Sequence, residues 1–211
     1  MAAYGPRGEQ PRREGGARFE VLSIKRVTSA GTGEILATEG CVLQAFLWGA
    51  GASGSVQANS NRGGGSGAAS VAIAKLRPGQ RVPYVVGAGG SSQTAAPNPG
   101  SDGGDTWVRL PTGLIVTAGG GKATGAGGLA SGGLINKHGT ASGTNNSAGA
   151  PAPSLSEYSN FTDFVGGAGS AYGTGSGAGG APGAGAGGSD GGGPSGIGGV
   201  GRLIYVLSRL A

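Results

Sequence analysis

Cysteine is all but missing from this chain: Cys41 stands alone among 211 residues, so no intramolecular disulfide framework can staple the fold. It sits in the apolar run Cys41-Val42-Leu43, where a buried structural thiol is expected. Histidine is equally scarce. His138 lies in the small-residue stretch Asn136-Lys137-His138-Gly139, and neither a catalytic triad nor a zinc site has partners grouped around it. Only 10 acidic residues are present, and none is flanked by a sugar-stacking aromatic cluster, which argues against paired-carboxylate hydrolysis. The longest apolar stretch, Cys41 to Trp48, is too short to cross a bilayer, and residues 1–18 contain no apolar segment of signal-peptide length. The expectation is a protein made in the cytoplasm, without membrane contact, cofactor, metal or catalytic residue.

Glycine fills the space the other residues leave. Gly 52 and Pro 11 together make up 63 of 211 residues, the level at which disorder is the usual reading. Leu, Ile, Val and Phe number only 37, and 11 aromatic residues are available to help fill a core. A net charge of +5 is modest, however, and disorder normally needs more. Ordering this many glycines costs about 25–50 kcal/mol more than ordering alanines. With so thin a core, stability has to come from dense backbone hydrogen bonding and from burial against other chains. A homo-oligomer is therefore expected, with a trimer favoured.

Along the chain, residues 1–17 form a Gly/Pro/Arg arm suited to docking on a partner through Arg7, Arg12 and Arg13, with Arg18 beyond it. Residues 18–211 read as one glycine-rich β domain. Arg18 to Thr28 alternates like a strand, Ser29 to Gly33 supplies a turn, and Glu34 to Trp48 gives one or two strands. Of these, CVLQAFLW is apolar on both faces and reads as central. Further strand-like runs follow at Ala69–Leu76, Arg81–Val86, Thr106–Leu110, Leu114–Thr117 and Arg202–Leu210. Arg77-Pro78-Gly79-Gln80 is a turn with Pro at its second position and Gly at its third. Residues 119–150 are nearly all small or polar and show no strand pattern. No long stretch carries a 3.6-residue apolar period, so the chain is read as all-β with essentially no helix.

The tract 166–201 is the densest in glycine. Its 19 glycines fall 7, 6 and 6 into the three registers of period three, which excludes a collagen repeat. Glycine does permit left-handed polyproline-II segments to pack side by side and hydrogen-bond to one another, and a β framework with bundled segments of this kind is the expected architecture. Gly49-Ala50-Gly51-Ala52-Ser53-Gly54 satisfies a dinucleotide-binding spacing, but SVQANSNRGGGS after it cannot supply the helix that motif requires. Asp102 and Asp105 read as turn-forming residues rather than cation ligands. Arg62-Gly63-Gly64 resembles one RGG unit without repetition, so nucleic-acid binding is a minor alternative.

The order of these elements resembles a known family. Leu47-Trp48-Gly49-Ala50-Gly51 leads through Gly63-Gly64-Gly65-Ser66-Gly67 and Leu76-Arg77-Pro78-Gly79-Gln80 to Val85-Val86-Gly87-Ala88-Gly89-Gly90. Asp102-Gly103-Gly104-Asp105-Thr106, Leu114-Ile115-Val116-Thr117-Ala118-Gly119-Gly120-Gly121 and a closing Gly201-Arg202-Leu203-Ile204-Tyr205 follow. The pattern, over about residues 42–207, is similar to the glycine-rich domain of phage tail-fibre and minor tail proteins. More distantly, it resembles the glycine-rich region of anaplastic lymphoma receptor kinases. The resemblance implies a virion structural protein of the tail tip or fibre, with other virion proteins as partners. A capsid decoration or head-fibre protein is the alternative. Residues 151–165 interrupt the glycine tracts with Tyr158, Phe161 and Phe164 beside Asn160 and Asp163. These five residues suit either contact with a host surface glycan or protein, or packing against the glycine bundle.

Overall fold

The computed structural model describes residues 19–56, 62–94, 98–143, 147–158, 166–171, 178–189 and 194–210. Ten strands occur among them: β1 Phe19–Val27, β2 Gly31–Leu36, β3 Cys41–Trp48, β4 Ala69–Leu76, β5 Arg81–Val86, β6 Thr106–Arg109, β7 Ile115–Ala118, β8 Ala130–Ser131, β9 Ile135–Lys137 and β10 Arg202–Leu210. The only described helical element is a 3₁₀ turn at Ser156–Tyr158, so the chain is all-β. The strands form two antiparallel five-stranded sheets, ordered β1-β10-β3-β4-β9 and β2-β5-β6-β7-β8. The strand read as central, β3, is in the middle of the first sheet.

Alternation along each strand divides the apolar residues between two cores. Leu43, Ala45 and Leu47 of β3 join Leu203, Tyr205 and Leu207 of β10 against Ile35, Val82, Val108 and Val116 of the second sheet. This is the core between the sheets. The other parity of β3 and β10 points away from the second sheet, where Phe46, Trp48, Ala69, Val71 and Ile204 gather around Leu155 in a smaller core.

The glycine tracts build a third body out of backbone. Residues 49–56 run through its centre with a repeat of three. The amides of Gly49, Ala52 and Ser55 donate to Ala68, Gly65 and Arg62, and those of Ala50, Ser53 and Val56 donate to Gly104, Ser101 and Asn98. Gly51 donates to Gly199. In the other three directions the carbonyls of Ala50, Gly51 and Ala52 accept from Gly121, Gly90 and Ala186. One segment is thus hydrogen-bonded to six neighbours, and three residues per turn is the repeat of a polyproline-II helix. Glycine serves here for proximity. A Cβ on Gly51 would stand under 3.0 Å from the backbone of Ala184, and one on Gly121 under 3.0 Å from the backbone of Gly65.

Two local differences from the sequence reading have simple causes. The expected turn at Ser29–Gly33 is shorter, because β2 already begins at Gly31; Gly33 within it leaves room for the Tyr84 ring, which an added Cβ would strike. The stretch 119–150, read as strandless, contains β8 and β9, two and three residues long. They are held by pairing to β7 and β4 and leave Leu129 and Leu134 exposed, so no alternation marks them.

Candidate functional site: a half-covered apolar face

The outer face of the first sheet carries more apolar side chain than a solvated face needs. Phe19, Val21 and Ile24 of β1, Val42 and Phe46 of β3, Val71 and Ile73 of β4, and Ile204 and Val206 of β10 share it by register. A strap formed by residues 151–158 crosses one half. Trp48 donates its Nε1–H to the carbonyl of Pro153 at 2.9 Å, and Leu155 is fully buried against Phe46, Val71 and Ile204. Lys137 on β9 fastens residues 154–158 of the strap. Its Nζ donates to the Ser154 carbonyl at 3.0 Å, pairs with the Glu157 carboxylate and stands 5.2 Å from the Tyr158 ring centre. Hydrogen bonds from Lys137 and Tyr158 hold the Glu157 carboxyl below its ordinary range.

Among the described residues the other half has no such cover. A groove of about 690 Å³ lies over Val42, Gln44, Phe46 and Val206, with Tyr158 and Glu157 forming part of its lining. Phe19 is 62% exposed, Val21 50%, Ile73 45% and Tyr158 43%, so this is a contiguous apolar surface facing solvent. It lies at the ends of β3 and β10 remote from the glycine bundle, which Trp48 and Arg202 adjoin.

Of the residues read from sequence as a recognition set, Tyr158 lines this groove, while Asn160, Phe161, Asp163 and Phe164 lie outside the described residues. Arg7, Arg12 and Arg13 of the arm, and Arg18 beyond it, lie outside them as well. The groove's other walls were missed because Phe19, Val21, Val42 and Ile73 stand in runs that read in sequence simply as strands. Only the position of the strap distinguishes the covered half from the open one.

A family model for a glycine-rich domain matches residues 28–208. The chain belongs to this family. No curated protein matches it. In this glycine-rich domain the polar residues singled out for chemistry act on the backbone. Asp102 Oδ1 accepts from the Ala123 amide and Asp105 Oδ1 from the Gly120 amide, each at 2.8 Å, and Lys122 pairs with Asp102 at 3.1 Å. Burial pushes the Asp102 carboxyl up, but the Ala123 amide and the Lys122 ammonium outweigh it and leave the group below its ordinary range. His138 Nδ1 accepts the Ala130 amide at 3.1 Å. Burial, reinforced by Glu39, pushes the Cys41 thiol up, which disfavours the reactive thiolate. No group of three or more His, Cys, Asp or Glu able to hold a metal occurs among the described residues.

Proposed function

We propose that this glycine-rich domain is a structural assembly module of a phage virion, placed at the tail tip or fibre, and that the open half of its outer sheet face receives an apolar segment of a neighbouring virion protein. The observation that carries the reading is the half-covered face itself. Among the described residues the same sheet surface is sealed by Leu155 and Trp48 at one end and left uncovered around Phe19, Val21, Ile73 and Tyr158 at the other. Exposed apolar area of this kind favours burial against a partner, at about 25 cal/mol for each Å² removed from water. The order of strands and glycine tracts, similar to that of tail-fibre and minor tail proteins, supports the virion setting, and the backbone-bonded bundle supports a structural role.

The test is incorporation. A tagged chain is expressed in infected cells and gradient-purified particles are probed for it. Wild type is expected in the particles, and Ile73→Glu, a change on an exposed side chain, is expected to fold and to be left out. Absence of the wild-type chain from particles, or incorporation of I73E at the wild-type level, would overturn the reading.

A further inference from the structure

The first sheet ends at β1, whose outer edge has no strand partner among the described residues. A nine-residue edge strand is a template for another strand, and charged residues on such edges ordinarily discourage pairing. Here the charges are sorted by position. Glu20 lies near one end of β1, and Lys25 and Arg26 lie near the other. Arg209 bridges Glu20 and Glu39 at 2.8 and 3.0 Å, so among the described residues the Glu20 end holds two carboxylates on one guanidinium.

A bulge between Val21 and Ser23 decides which residues share a face. Before it, Phe19 and Val21 lie on the outer face, with Val21 opposite Ser208. After it, Ile24 and Arg26 take the outer face opposite Val206 and Ile204. Glu20 and Lys25 lie on the inner face, opposite Arg209 and Tyr205. Directly opposed residues of an antiparallel pair project to the same side. If two β1 strands meet about a two-fold axis between Leu22 and Ser23, Glu20 falls opposite Lys25, Val21 opposite Ile24 and Phe19 opposite Arg26. Each pair matches in face. The first joins opposite charges, the second joins two apolar side chains, and the third sets a guanidinium beside an aromatic ring. Moving the register by one residue pairs outer residues with inner ones and loses all three. Both strands carry the bulge at the axis, so neither gains a residue on the other.

We infer that the partner of this edge is a second copy of the chain, joined through β1 into one continuous sheet with two-fold symmetry. A self-complementary strand closes a pair, because each contact is made twice. The inference rests on the assembly reading above but not on the groove, whose test residue Ile73 is on β4.

Sedimentation velocity of the full chain over micromolar concentrations should show a dimer. E20K and K25E, each replacing two attractive contacts with two repulsive ones, should weaken it at least about tenfold, and the double variant E20K/K25E should restore it to within about threefold of wild type. The variant V21C/I24C, oxidised, should give a covalent dimer on a non-reducing gel. A wild-type monomer or trimer, a double variant as weak as either single one, or failure of V21C/I24C to cross-link would overturn the inference. I73E should leave the dimer intact. Loss of the β1 pairing with I73E still excluded from particles refutes this inference alone, and the converse refutes only the groove.

Discussion

Replacing Gly51 by alanine adds one methyl group at the centre of the glycine bundle, and the cost can be worked from its neighbours. The new Cβ would point at the backbone of Ala184, under 3.0 Å away. That segment cannot simply withdraw, because the Ala184 carbonyl accepts the Gly199 amide at 2.8 Å. Gly51 is itself held on both sides, donating to Gly199 at 2.8 Å and accepting from Gly90 at 2.9 Å. Overpacking a rigid site costs about 1–3 kcal/mol, and leaving a buried amide without its acceptor about as much again. The variant should therefore lose roughly 3 kcal/mol, a fall in Tm of about 6–12 °C for a chain of this size. Gly40→Ala is the control. Gly40 is exposed, an added Cβ would meet no atom within 4 Å, and its φ lies outside the left-handed region. The same methyl there should stabilise by about 0.4–1 kcal/mol through the unfolded chain. Circular dichroism melts of the two variants beside wild type decide the matter. Midpoints of G51A and G40A within about 2 °C of each other would refute the claim that these glycines serve close approach.

Leu155→Ala should cost about 2–5 kcal/mol by opening a cavity under the strap, read as a lower urea midpoint; a cost below about 1 kcal/mol would show that the strap is not packed. The Cys41 thiol should resist a thiol-specific chromophore at mildly alkaline pH and react at once in denaturant, while rapid native reaction would contradict its burial. The folded Asp102 carboxyl titrates below its unfolded value, so its stabilisation is full above about pH 4 and fades as pH falls through the folded value. In urea melts the stability gap between wild type and Asp102→Asn should hold near neutrality and shrink in acid, and a gap unchanged throughout acid would exclude that linkage.

Strands were legible where side chains carried the signal. Ala69–Leu76, Arg81–Val86 and Arg202–Leu210 have the expected bounds, since each is apolar and β-branched between turn residues. The Arg77–Gln80 turn also has its expected form, with Gly79 at φ +79° and the Gln80 amide returning to the Arg77 carbonyl. The expectation of side-by-side glycine helices follows from composition alone, but which tract lies beside which does not. Gly51 and Gly199 meet across most of the chain, and one glycine is like another until the strands fix their ends. The candidate site was less legible for a related reason. Tyr158 stood out because it interrupts glycine, whereas Ile73 and Val42 stand in runs that read simply as strands, and nothing in those runs marks them as lining a groove.

The six-neighbour bundle has a calorimetric consequence. Unfolding ordinarily raises the heat capacity because apolar exposure outweighs polar exposure, at about +0.45 against −0.26 cal/K/mol/Å². Opening the segment 49–56 and its neighbours would release mostly peptide groups, whose hydration works in the negative direction. The heat-capacity change per residue should therefore fall below the usual 12–15 cal/mol/K, flattening the dependence of stability on temperature. A fold stabilised in this way keeps more of its free energy on cooling than one that relies on apolar burial alone.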